Sequence, residues 1–184
     1  MKITLAGSPG SGKSTLRKML AKHYGLRAKC TGDFMRKMSH KHGFSDITKF
    51  LVEYVSNHPE VDNNVDEAQR NFGKLNDNFV LDAHLGFHFV PDSIRICLSC
   101  DLEIASKRIL KDPVRSNEDA KNVFESIQAG QVRIDTMRKN FLNLYEVDID
   151  DPSNFDLILD TTNLTSEEVF EKVSNFIDLR VSGV

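Results

Sequence analysis

Apolar residues fall into short runs separated by longer stretches in which they recur every three or four positions. The runs Lys2–Ala6, Ala28–Thr31, Asn78–Asp82, Ile94–Ser99 and Phe155–Asp160 predict five strands. Between them, helical spacing covers Ser14–Tyr24, Asp33–His42, Asp46–Asn57, Val61–Leu75, Leu102–Leu110, about Glu118–Leu144 and Ser166–Leu179. Thr165 followed by Glu168 has the capping-box spacing, which satisfies free N–H groups at a helix start. Strands that alternate with helices pair in parallel through right-handed crossovers. The pattern therefore predicts one α/β domain over residues 1–184, with helices on both sides of a five-stranded parallel sheet. Two segments fall outside the alternation. Residues 32–75 place three helices between strands two and three, and residues 111–144 place a polar helix between strands four and five. Ligands of such sheets sit beyond the carboxyl ends of the strands.

Composition narrows the class without changing that architecture. A chain of 184 residues, 40% hydrophobic and 28% charged, is long enough for one substantial core. A net charge of −3 argues against a general nucleic-acid binder, whose phosphate contacts require a basic surface. No apolar run approaches the roughly 18 residues of a membrane span, and a cytoplasmic location is expected. Cys97 and Cys100 have CxxC spacing, but they sit on a strand end without a second pair to complete a metal site. With Cys30 they read as reduced, unpaired thiols.

The first candidate chemistry follows strand one directly. Gly7–Ser14 matches G-x-x-x-x-G-K-[ST] at every fixed position, between a strand and a helix. Glycines let backbone N–H groups curl around a polyphosphate, and the helix N-terminus adds its dipole. Gly7, Pro9, Gly10, Ser11, Gly12, Lys13, Ser14 and Thr15 are thus the expected ATP-binding residues. Lys13 suits the β/γ oxygens, and Ser14 suits a Mg²⁺ ion bound with ATP. Asp82, an acid ending a buried apolar strand, suits the metal's outer sphere; the alternative is a helix N-cap. Asp62 and Asp66 lie four apart on one helix face, where a carboxylate can accept from a cytosine amino group or simply face solvent.

The ordered blocks GSPGSGKST, TGDFMRKM, Pro59-Glu-Val-Asp62…Asp66…Gln69-Arg70, Arg108-Ile, Leu144-Tyr-Glu-Val-Asp148 and Phe155–Thr161 resemble the nucleoside monophosphate kinases. The resemblance runs along nearly the whole chain and is greatest to the archaeal-type cytidylate kinases. It implies a P-loop NTPase core, an acceptor-binding insertion at about 32–75 and a short lid at about 111–144. It further implies transfer of the γ-phosphoryl of Mg-ATP to a nucleoside monophosphate, CMP or dCMP. By position, Arg36 would hold the acceptor phosphate, with Asp33, Asp62, Asp66, Arg70 and His84 around the acceptor. Lys13, Arg108, Arg115 and Arg133 would neutralise the transferring group, with Arg138 also available. Asp160–Asn163 would lie beside the adenine. Three positions depart from the family pattern: Asp82 replaces a glutamate, and His84 and Asn140 replace arginines. A kinase of another small molecule or of a nucleic-acid end stays open on the same residues. So does a nucleotide-dependent switch resembling the adenylate-kinase-like ribosome maturation ATPases.

Overall fold

The computed structural model describes residues 1–112 and 122–183. Strands β1 (Lys2–Gly7), β2 (Arg27–Cys30), β3 (Phe79–Asp82), β4 (Ile94–Ser99) and β5 (Leu157–Asp160) form a parallel sheet in the order β2-β3-β1-β4-β5. Helices α1 (Lys13–Tyr24), α2 (Thr31–Lys41), a short α3 (Ile47–Lys49) and α4 (Pro59–Leu75) precede β3. A four-residue α5 (Gly86–Phe89) follows β3, α6 (Leu102–Leu110) follows β4, α7 (Val123–Tyr145) precedes β5, and α8 (Ser166–Ser182) closes the described chain. The five predicted strands are all present, each within two residues of its expected bounds.

Strand alternation divides the core between the two faces of the sheet. Ile3, Leu5, Val80, Ile96 and Leu98 pack with Leu16 and Leu20 of α1 and with Val169, Val173 and Ile177 of α8. Ala6, Phe79 and Leu81 face the other way, toward Leu85, Phe87, Phe89, Val90 and Phe141. The predicted capping box starts α8: the Thr165 side chain accepts from the Glu168 N–H, and Glu168 accepts from the Thr165 N–H.

The segment between β2 and β3 carries a core of its own, built from Ile47, Phe50, Leu51, Val55 and Val61. Its middle helix, expected to run unbroken over Asp46–Asn57, instead passes from α3 through a π-helical turn at Phe50–Tyr54 to a 3₁₀ turn at Val55–Asn57. The wider turn brings Ile47, Phe50, Leu51 and Val55 onto one buried side, and that burial outweighs local helical preference. Helix α7 is described from Val123, so the expected start at Glu118 lies outside the described residues. Helix α5 was not expected, because four residues carry no readable period.

One ionic cluster ties β4, the approach to β5 and α8 together. Asp156 accepts from the Arg95 backbone N–H at 2.8 Å, from its Nε at 3.2 Å and Nη2 at 2.9 Å, and from Arg180 Nη2 at 3.0 Å. Burial pushes the carboxyl's pKa up, but the Arg95 hydrogen bonds and the Arg95 and Arg180 charges outweigh it and hold it below the ordinary value. A depressed carboxylate pKa contributes stability above the unfolded-state value, and that stability is lost as pH falls through the folded value. Asp156→Asn is expected to cost about 2–4 kcal/mol of unfolding free energy at neutral pH. Urea titrations of both proteins at pH 7 and pH 3 check this, since the gap between them should narrow at the lower pH.

Candidate active site

The loop between β1 and α1 takes its shape from glycine positions that admit no side chain. Gly7 has φ 122°, and a Cβ there would lie 1.9 Å from the Leu98 carbonyl oxygen. Gly10 has φ 79°, and its Cβ would lie 2.5 Å from the Ala105 carbonyl oxygen. Both positions combine left-handed backbone with contact against neighbouring main chain, so alanine is excluded twice over. Gly12, at φ 93°, is the N-cap of α1 and makes no side-chain cap, so no capping side chain covers the helix N-terminus, whose dipole favours an anion. Lys13 Nζ folds back onto the loop, donating to the Gly7 and Ser8 carbonyl oxygens at 2.8 and 2.7 Å.

The Ser14 hydroxyl donates to Asp82 Oδ2 at 3.1 Å, joining the loop to the end of β3. Asp82 is 6% exposed. The alternative reading of Asp82 as a helix cap is overturned: α5 begins after Leu85 and has no side-chain cap. A hydroxyl paired with a buried carboxylate beside a phosphate loop is a hard oxygen set that fits Mg²⁺, which keeps waters and phosphate oxygens as its other ligands. Among the described residues no group of three or more His, Cys, Asp or Glu converges on a metal position, so His84 and His88 form no metal pair with a third ligand. The three cysteines are free thiols, and burial pushes the Cys97 thiol pKa up, which keeps it protonated.

A cavity of about 1030 Å³ opens over the carboxyl ends of the strands. The phosphate loop from Pro9 to Thr15 lines one end, and Arg36, Asp66, Asp82, His84, Arg108 and Arg133 line it further along. The Arg36 guanidinium packs back against Gly32 at the start of α2. Arg133, 9% exposed, projects from α7. Arg108 is tied to the loop after β5. Its Nη2 donates to the Thr161 carbonyl at 2.9 Å, and Nη1 donates to the Thr161 hydroxyl at 3.2 Å. That hydroxyl also lies 3.0 Å from the Ser11 carbonyl, so α6, the β5 loop and the phosphate loop brace one another.

Arg70 and Arg138 stand apart from the cavity. The Arg70 guanidinium lies 4.4 Å from the Phe89 ring centre and 5.8 Å from that of Tyr145, outside the cavity lining. The negative ring faces hold it there, and an acceptor role is not supported by its position. Arg138 pairs with Asp135 and Asp150 and likewise does not line the cavity. Arg115 lies outside the described residues, as do the side chains of Asp33 and Asp62. Asp66 is 4% exposed and accepts from the Tyr145 hydroxyl and from Gln69 Nε2, the latter at 3.1 Å. Burial pushes its pKa up against the lowering pull of Tyr145, Arg70 and Gln69. It is therefore not on a solvated helix face.

The cavity also recruits residues to which the sequence reading assigned no role. Arg17 and Lys18 of α1, Gln69 of α4, and Thr136 and Met137 of α7 all line it. Arg17 follows Lys13 by four positions, so helical spacing from the motif would have found it. The α7 residues carry no comparable signal, because only the fold returns that helix to the sheet.

No described helix is long and apolar enough to cross a membrane. The family model described as an AAA domain matches residues 3–145. The cytidylate kinase of Pyrococcus abyssi is 36% identical over 177 residues, covering 96% of this chain and 93% of that protein. An S-adenosylmethionine-dependent nucleotide dehydratase of Lacinutrix mariniflava is also 36% identical, over 94% of this chain, but this chain spans 35% of its length. The shikimate kinase of Aquifex aeolicus shares the fold, with a TM-score of 0.60 at 15% identity over the full length of both chains. Nearly complete matches to archaeal cytidylate kinases, on a five-stranded parallel P-loop fold, place this chain among the P-loop nucleoside monophosphate kinases, in the cytidylate kinase family, and make it an ATP-dependent kinase.

Proposed function

We propose that the protein transfers the γ-phosphoryl group of Mg-ATP to a cytidine monophosphate, CMP or dCMP. The observation that carries this reading is one continuous cavity lined by the phosphate loop, by the Ser14–Asp82 pair and by Arg36, His84, Asp66 and Arg133. Such a cavity has room for a donor polyphosphate and an acceptor nucleotide side by side. The segment over residues 32–75 serves as the acceptor-binding insertion, and the segment over 111–144 as the lid.

In this reading the backbone N–H groups of Gly10–Ser14 hold the donor phosphates. Lys13 leaves the Gly7 and Ser8 carbonyls for the β/γ oxygens. Ser14, with Asp82 behind it, would hold Mg²⁺, which would supply neutralisation of phosphate charge. Arg36 offers a planar pair of donors to the acceptor phosphate, with His84 as a single further donor. The acceptor's own phosphate oxygen is the nucleophile. Its new bond to the γ-phosphorus forms as the bond to the β–γ bridging oxygen breaks, leaving ADP and a nucleoside diphosphate. No side-chain base is needed, so catalysis is positioning and charge stabilisation. Arg133 supplies charge from the lid side, and exclusion of water there protects the phosphoryl group from hydrolysis.

The test is ADP formation with CMP, dCMP, UMP, AMP or no acceptor under identical Mg-ATP. CMP or dCMP is expected to give the highest kcat/KM, about 5- to 150-fold above UMP. A preference for AMP defeats the acceptor assignment. Turnover that no mononucleotide stimulates defeats the kinase reading in favour of a nucleotide-dependent switch.

A further inference from the structure

The acceptor end of the cavity contains a buried amide with one end satisfied and the other not. Gln69 is 6% exposed and lines the cavity from α4, one turn beyond Asp66. Its Nε2 donates to Asp66 Oδ1 at 3.1 Å and reaches the Val65 carbonyl at 3.5 Å, whereas its Oε1 is buried with no hydrogen-bond partner among the described residues. Asp66 Oδ2 in turn accepts from the Tyr145 hydroxyl. The carboxylate thus receives a donor on each oxygen, and the amide is oriented by it. Turning the amide over would set its oxygen against a carboxylate oxygen, which repels it. The orientation is therefore chosen by Asp66, and it leaves an acceptor without a donor.

Buried carbonyl oxygens of this kind are nearly always paired, so the missing donor is the informative feature. Ile47, Leu51, Val65, Met137 and Phe141 line the same cavity and offer apolar faces suited to a flat ring. Resting on the mononucleotide-acceptor reading above, we propose that Gln69 reads the acceptor base by accepting from its exocyclic amino group, and that Asp66 is the positioning residue that fixes the amide for that purpose. Cytosine meets this oxygen with the N–H of its 4-amino group. Uracil meets it with a carbonyl oxygen, and the amide cannot reverse to accommodate it while Asp66 holds the other end. Asp66, expected from the sequence to read the base itself, acts one step behind it.

The experiment compares kcat and KM for CMP and UMP, at fixed Mg-ATP, in the wild type and in Asp66→Asn, Gln69→Leu and Tyr145→Phe. An asparagine at 66 can present either a donor or an acceptor, so the Gln69 amide is free to turn. Asp66→Asn is expected to shrink the CMP:UMP ratio of kcat/KM by about 10-fold, mainly through a lower KM for UMP, with KM for ATP unchanged. Gln69→Leu is expected to lose CMP efficiency by about 10-fold while UMP changes little. Tyr145→Phe removes the other hydrogen bond to Asp66 but keeps the Asp66–Gln69 pair, and should retain the CMP preference. A parallel loss for CMP and UMP in both Asp66→Asn and Gln69→Leu overturns the inference and assigns the pair a structural role. Loss of preference in Tyr145→Phe equal to that in Asp66→Asn overturns the positioning role, because packing would then explain both. A wild type that accepts no mononucleotide overturns the acceptor reading itself, an outcome distinct from a wild type that phosphorylates CMP with variants that do not discriminate.

Discussion

Lys13→Ala is expected to lower kcat by about 10²–10³-fold, the loss that follows removal of one preorganised charge from a developing phosphoryl transition state. The fold should survive. Lys13 donates to two carbonyl oxygens of the phosphate loop, Gly7 and Ser8, and water can replace it there. The loop's shape rests instead on Gly7 and Gly10 packed against the main chain of Leu98 and Ala105. Coupled ADP formation at saturating ATP and CMP measures the rate, and far-ultraviolet circular dichroism with a thermal scan checks the fold. A variant with wild-type turnover would remove the loop from the catalytic site altogether.

The second large effect is expected at Asp82. Asparagine keeps the size of the side chain and can still accept from the Ser14 hydroxyl, so the 3.1 Å contact between β3 and α1 can persist. What disappears is the negative charge beside the phosphate loop. Groups that orient a metal from behind its direct ligands typically cost 10–100-fold in metal affinity or activity when altered, and Asp82→Asn is expected in the range of about 10- to 100-fold. The loss should be largest at low Mg²⁺ and partly recovered as Mg²⁺ is raised. Turnover measured across a Mg²⁺ titration checks both features. Identical titration curves for the two proteins would reduce Asp82 to a hydrogen-bond acceptor for Ser14.

Both effects concern residues that were visible in one dimension. The phosphate loop is legible because its chemistry depends on consecutive backbone groups: the glycines, the lysine and the serine act from neighbouring positions, and spacing alone specifies them. Asp82 was visible for a related reason, since it ends an apolar strand and strand ends point toward the ligand. Its competing reading as a cap could be rejected only when α5 proved to start later, without a side-chain cap. The acceptor side was less legible. Arg36 lines the cavity, whereas Arg70, next in sequence to the cavity-lining Gln69, lies over the Phe89 ring outside the lining. Adjacent helical residues differ by about 100° in direction, so a motif that names both cannot say which one faces the ligand.

The order of strands and helices, the P-loop and the kinase family were determined by the sequence itself, because periodicity and contiguous motifs record local geometry directly. Tertiary structure alone decided how the insertion's middle helix breaks into a π turn, since Ile47, Phe50, Leu51 and Val55 had to reach one common core. It also decided that Arg108 braces the β5 loop and that Asp66 is buried between Tyr145 and Gln69. The partners in these contacts lie 53 residues apart for Arg108 and Thr161, and 79 apart for Asp66 and Tyr145. No period or spacing in a chain encodes such a meeting. It is set by the stacking of helices on the two faces of the sheet, which brings the end of α7 against the middle of α4 and leaves the Gln69 amide oxygen buried without a partner among the described residues.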